Sequence, residues 1–178
     1  MRLTSLFVLL FIFLTSSNAQ EEVQNNIDTT IDFKIKNLGV HVKGIFTEAA
    51  VTSYFNVKSL EDSYINAIIK VNSINTKNKK RDTHLLKDDF FDAIEYPEIK
   101  LISTKIEKIA KNNYKLFANL TIKNKTISIE IPLDIQSNDK SIIIRSSFNL
   151  NRRDYNVGGS SWILSNTVKI NVVHKLIR

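Results

Sequence analysis

The chain of 178 residues contains no cysteine. It can carry neither a disulfide nor the lipid-modified cysteine of a bacterial lipoprotein, so its stability has to come from a packed core. Proline and glycine are scarce, at 2 and 4 residues, which excludes collagen-like and Pro/Gly-rich low-complexity chains. With 43% hydrophobic residues the chain has enough apolar surface to fold, and disorder is excluded as well. Long apolar runs are also missing after the first few residues. The exception, Leu6 to Leu14, is nine residues long, whereas a membrane-crossing helix needs about 20.

Signatures of catalysis are absent too. There is no G-x-S-x-G, no Walker motif and no dinucleotide glycine pattern. The three histidines, His41, His84 and His174, are far apart and lack metal-ligand spacing. Asp88, Asp89 and Asp92 cluster, but carboxylates beside a helix ordinarily serve as caps and dipole partners. The expectation is a protein that is not an enzyme, with no metal and no cofactor.

At the amino terminus, Met1-Arg2 is followed by the apolar run and then by Ser17-Asn18-Ala19 ahead of Gln20. A positive start, a short apolar stretch and small residues at a cleavage site make a signal peptide. Residues 1–19 are therefore expected to be removed after Ala19. Residues 20–178 would form a single domain without a transmembrane span, periplasmic or secreted. The net charge is +7, yet lysines are scattered along the chain. The one tight cluster, Lys77 to Arg81, reads as a solvated loop, so no nucleic-acid partner is expected.

Period-two alternation fills most of what remains, which is the mark of half-buried strands. On the apolar faces, Phe33 and Ile35 follow Ile31, and Val40, Val42 and Phe46 share a face with Gly44. Ala67 and Ile69 come next, then Leu101 and Ser103, then Leu116 and Ala118. Ile129 and Ile131 belong to the cleanest run, Ile127 to Ile135, and are followed by Ile144, Ser146 and Phe148. Ile170 and Val172 lie in the last run. Consecutive strands joined by short polar turns run antiparallel. Eight of them with one apolar face each predict an all-β, eight-stranded antiparallel up-and-down barrel, with a two-sheet sandwich as the rival. Asp82 to Tyr96 breaks the rhythm: Asp82 or Thr83 can cap a helix, and Leu85, Leu86, Phe90 and Ile94 have roughly helical spacing, which predicts one short helix near residues 82–95, stopped by Pro97. Pro132 inside a strand run predicts a bulge, an edge or a strand end.

The segment Arg81-Asp82-Thr83-His84-Leu85-Leu86 to Phe90-Phe91-Asp92, followed by Tyr96-Pro97-Glu98-Ile99, resembles the signature of the YceI-like family. Val71 to Thr76, Leu120-Thr121-Ile122 and Arg153-Asp154-Tyr155 resemble further elements of the same pattern. Departures at Asn124-Lys125 and Asn156, where glycine is usual, touch turns. The resemblance implies a lipocalin-like barrel in the periplasm or outside the cell, holding a polyisoprenoid or isoprenoid quinone.

Eight strands leave an interior that is either filled by side chains or just wide enough for one ligand. The small residues Ala67, Ser103, Ala118 and Ser146 fit either a tunnel or the taper of a packed barrel. Joined to the resemblance, the inner-face residues named above become the expected lining of an apolar tunnel. Arg81, Arg152 and Arg153 become candidates for a lipid headgroup. The expected function is an exported lipid-binding protein acting as carrier, store or sequestering protein. A ligand-free structural or stress-protective barrel and a lipid-modifying enzyme are the alternatives, and a homodimer is compatible with the pattern.

Overall fold

Alternating residues on long strands commit one face of each to the interior, and the strands pair so that those faces meet. In the computed structural model, which describes residues 25–177, they form one antiparallel sheet of ten strands. The long strands are β1 (Asn25–Asn37), β6 (Glu98–Lys108), β7 (Asn113–Ile122), β8 (Lys125–Ser137), β9 (Ser141–Asn151) and β10 (Leu164–Ile177). Shorter ones are β2 (Val40–Phe46), β3 (Ala49–Tyr54), β4 (Tyr64–Lys70) and the two-residue β5 (Ile74–Asn75). The order across the sheet is β3-β4-β6-β7-β8-β9-β10-β1-β2-β5, and the sheet curls into a half-barrel. A single sheet rules out the sandwich. The expected signal peptide lies outside the described residues, and no described helix is long and apolar enough to cross a membrane.

Two expectations are corrected. The strand count is ten, not eight, because the chain turns between β2 and β3 and then adds β5 beside β2 through Ile45↔Asn75 and Phe46↔Ile74. A two-residue strand carries no readable alternation. The helix α1 spans Lys79–Leu85 rather than 82–95. Its cap is Asn78, whose side chain accepts from the Arg81 N–H at 3.0 Å. Asp82 is unavailable as the cap because its carboxylate accepts from the Thr76 N–H and hydroxyl. Residues 86–96 then fold as successive turns, with Phe91 N–H donating to Leu85 and Ala93 N–H to Leu86.

Pro132 explains an asymmetry in the sheet. β9 pairs with β10 over eleven positions, Asn151 to Ser141, but with β8 only over Asp134–Ser137 and Ile142–Arg145. The β8–β9 ladder stops just before Pro132, whose missing N–H has nothing to donate to it. Pro132 therefore sits at a free strand edge, and the Ser146 hydroxyl donates to its carbonyl at 2.6 Å.

The core has two parts. Phe55, Ile106, Tyr114, Ile142 and Leu176 close the end where β1 begins, with Phe55 and Tyr114 edge to face at 5.2 Å. Ile31, Val71, Leu120, Tyr155 and Val157 pack toward the opposite end. Between them, β2 lies against the Phe33 ring only because position 44 has no side chain. A Cβ on Gly44 would stand 2.3 Å from Phe33 Cζ and 2.9 Å from Thr76 Cγ2. Gly44→Ala is expected to cost about 1–3 kcal/mol of stability in denaturant titration, as overpacking does.

Candidate functional site

The concave face of the sheet is not filled. A cavity of about 500 Å3 runs between the two core clusters, within the ordinary size range of small-molecule sites. It follows β1 from Asn37 to Thr29, a length of about 26 Å at the rise of an extended strand. Its wall is overwhelmingly aliphatic and aromatic. Lining residues that are also exposed, His84, Gly159, Ser160 and Ile163, all lie on α1 or on the loop after Val157. That end is the mouth; the other, at His174, Leu133 and Ile144, is a buried floor.

Most of the sequence-predicted residues do line the cavity. Phe33, Ile35, Val42 and Phe46 do so from β1 and β2, Ala67, Ile69 and Leu101 from β4 and β6, and Leu116 and Ile131 from β7 and β8. Ile144, Ser146, Phe148, Ile170 and Val172 complete the wall from β9 and β10.

Four do not reach the lumen. Val40 lies at the tip of the β1–β2 hairpin, beyond the curl, and is 67% exposed. Ser103 stands at a register irregularity between β6 and β7, and its hydroxyl accepts from the Ile65 N–H. Ala118 and Ile129 face one another across β7 and β8 and are covered by the packed cluster at the floor end. Several lining residues were not anticipated. Phe90 and Phe91 enter from the turns after α1, where the sequence pattern suggests a helix and not a cavity wall, and Val51 and Thr76 come from short or irregular segments.

The three arginines part company. Arg152 is 5% exposed and forms no ion pair with a carboxylate among the described residues. Its Nε donates to Ser165 O, Nη1 to the carbonyls of Val157, Gly158 and Gly159, and Nη2 to Leu164 O and Asn166 Oδ1. Its five N–H donors are thus committed to the mouth loop. Burial, helped by the nearby Arg153, lowers its pKa. Gly158, at φ +67°, has to be glycine here, since a Cβ would meet Phe90 at 2.9 Å and Arg152 Nη1 at 3.0 Å. Arg153 is exposed and does not line the cavity.

Arg81 behaves differently from both. It lines the mouth, donating from Nε to Thr76 Oγ1 at 2.8 Å and from Nη2 to Thr76 O at 2.9 Å. Its Nη1 makes no hydrogen bond among the described residues.

The floor is polar at one point. His174 is 3% exposed, with Nδ1 2.7 Å from Thr29 Oγ1 and Nε2 3.0 Å from Ser53 Oγ. It thereby ties β10 to β1 and β3 across the curl. Burial lowers its pKa, against a smaller opposing effect of a backbone hydrogen bond at Asp28, so the ring is neutral at pH 7. Burial likewise lifts the Tyr155 phenol to about 12, which keeps it protonated. Among the described residues, no group of three or more His, Asp or Glu is placed to hold a metal ion.

Two outcomes follow for stability. A base whose folded pKa is lowered binds fewer protons folded than unfolded, so its contribution is intact above the unfolded value of about 6.5 and is lost as pH falls through the lowered folded pKa. Denaturant midpoints measured from pH 8 down to pH 5 should therefore fall more steeply for the native protein than for His174→Gln. Arg152→Lys, with three donors in place of a planar five, should cost about 2–4 kcal/mol by the same titration, because it leaves buried carbonyls unpaired.

Comparison with known proteins agrees with this geometry. Residues 23–176 match the model of the YceI-like domain. A UPF0312 protein of Pseudomonas savastanoi pv. phaseolicola is 31% identical over 136 residues, covering 72% of this chain and 71% of its own. The crystal structure of Burkholderia cenocepacia BcnA superposes with a TM-score of 0.79 at 22% identity, covering 83% of this chain and 95% of that one. A polyisoprenoid binding domain from Saccharophagus degradans, implicated in plant cell wall breakdown, superposes at 0.67 with 15% identity, covering 86% and 96%. At those identities the two structures attest the fold, while the domain match and the Pseudomonas relative place this chain in the YceI-like family.

Proposed function

We propose that the protein is an exported, lipocalin-like binding protein that holds one polyisoprenoid or isoprenoid-quinone chain in its cavity, as carrier, store or sequestering protein, and that it is not an enzyme. The observation that carries this reading is the shape and chemistry of the cavity. It is long, closed at the floor, open at one mouth and walled by side chains that offer a ligand almost nothing except apolar surface. At about 25 cal/mol per Å2, burial of an extended hydrocarbon supplies the affinity without directional contacts. Arg81, with Nη1 uncommitted at the mouth, is the headgroup contact; Arg152 is spent on the loop. Export to the periplasm or beyond is supported by the pattern of Met1 to Ala19, and the ligand class by what the Saccharophagus domain binds.

The test is to express the full chain in a bacterial host, purify it without detergent, extract it with organic solvent and analyse the extract by mass spectrometry. One isoprenoid chain per protein is expected. Ala67→Phe, which adds bulk to the middle of the lumen, should reduce that occupancy severalfold. An empty extract together with no saturable binding of added polyisoprenoid would replace this reading with a ligand-free barrel.

A further inference from the structure

One lip of the mouth carries a group of exposed apolar side chains. Trp162 is fully exposed, Leu38 is 68% exposed, Val40 67% and Ile163 53%. They come from two segments, the β1–β2 hairpin and the loop after Val157, and are held side by side because the Leu38 N–H donates to Ile163 O at 2.8 Å. Ile163 also lines the cavity, so the patch is continuous with the lumen. Exposed apolar groups gathered in one place mark an interaction surface.

The flank behind this tip is basic. Ile35, Val42 and Val168 point into the cavity, so the residues between them point out. Lys34 pairs across the sheet with Lys43 on one side and with Lys169 on the other, and Lys36 pairs with His41. None of the four lysines is within ion-pair distance of a carboxylate among the described residues. Of the acids on this face of β1, Asp32 accepts from Asn171 Nδ2 at 2.7 Å, and Asp28 lies opposite Lys175 toward the floor end. Lys36 is two residues from Leu38 and Lys34 four, about 7 and 13 Å along the strand.

We infer that the rim formed by Leu38, Val40, Trp162 and Ile163, backed by Lys34, Lys36, Lys43 and Lys169, docks the protein mouth-down on an anionic lipid bilayer. An apolar tip with flexible cations set just behind it matches the layering of a membrane surface. The tip reaches the acyl boundary while the lysines extend to the headgroup phosphates. An indole at the leading edge has the amphipathic character that collects at that boundary. Docking in this pose places the cavity mouth against the membrane, so an apolar chain enters without crossing water. The inference rests on the lipid-binding reading for its purpose, but its chemistry stands on the rim alone.

Trp162 is the sole tryptophan of the chain, which makes the test local. Its emission would be followed in the full-length protein as vesicles of phosphatidylglycerol and phosphatidylcholine are added. A blue shift, quenching by brominated acyl chains and weakening with added salt are expected, with a smaller response to pure phosphatidylcholine. Leu38→Ser combined with Val40→Ser should lower the partition roughly tenfold with an unchanged melting temperature, since both side chains are exposed and neither lines the cavity. Lys36→Glu with Lys43→Glu should lower it on anionic vesicles and leave neutral ones unaffected. Because the signal reports from position 162, binding through Leu6 to Leu14 alone would leave it unmoved, and that result would overturn the inference. So would a blue shift that grows with protein concentration without vesicles, which would assign the rim to a second copy. A protein that carries extracted lipid yet shows no Trp162 response would sink the docking surface and leave the cavity reading standing.

Discussion

A sheet that curls with apolar residues on its concave side has to fill the concavity, close it or expose it to water. Here it is filled at the floor end, where Phe55, Tyr114, Ile142 and Leu176 meet, and at the other it opens through a mouth edged by α1, the turns after it and the loop after Val157. Between them the inward side chains are long enough to line the space but not to span it. Interior packing elsewhere in proteins leaves few voids larger than a water molecule, so an unfilled lumen of about 500 Å3 is a constraint on everything around it. Backbone polar groups facing it have no water to rely on and must be satisfied by the protein.

The buried polar groups answer that constraint. Arg152 stands in the wall as a cation without an acid, tolerable because five carbonyls and one amide oxygen surround it. What it gains for the fold is a fixed mouth loop. Asp82 and Arg81 do the same for the other lip, converging on Thr76 so that α1 is pinned to the end of β5. His174 serves the floor, bonding to Thr29 on the neighbouring β1 and bridging through Ser53 to β3, which the sheet's hydrogen bonds do not join to β10. Each of these polar anchors fixes a boundary of the cavity and leaves its apolar wall uninterrupted.

This division decides what was legible in the sequence. Strand residues facing a common interior repeat every second position, so Phe33, Ile35, Leu116, Ile131, Ile144 and Val172 could be placed on the inner face from periodicity alone. Periodicity gives the face but not the depth. Ala118 and Ile129 point inward yet sit where neighbours cover them, and Val40 has the right parity but lies past the curl. Ser103 fails for another reason: a register irregularity beside it breaks the count. The start of α1 was misplaced because Asp82, a good cap by type, has a tertiary partner in Thr76. The contribution of Phe90 and Phe91 depends on turns that set no period.

The size of the cavity bears on what fits it. Unfilled apolar volume forgoes the packing contacts its lining could make, so a chain that fills the lumen of about 500 Å3 adds contacts that the wall alone does not have. Ordered water needs two to four polar partners per molecule, and the lining gathers these at particular points, among them Thr29, Ser146 and His174 and the unpaired Asn37 Oδ1 and Tyr155 hydroxyl. The aliphatic stretches of the wall between them suit apolar atoms better than water. It follows that occupancy and fold stability are linked: a ligand that binds only the folded state stabilises it in proportion to the logarithm of its concentration over Kd.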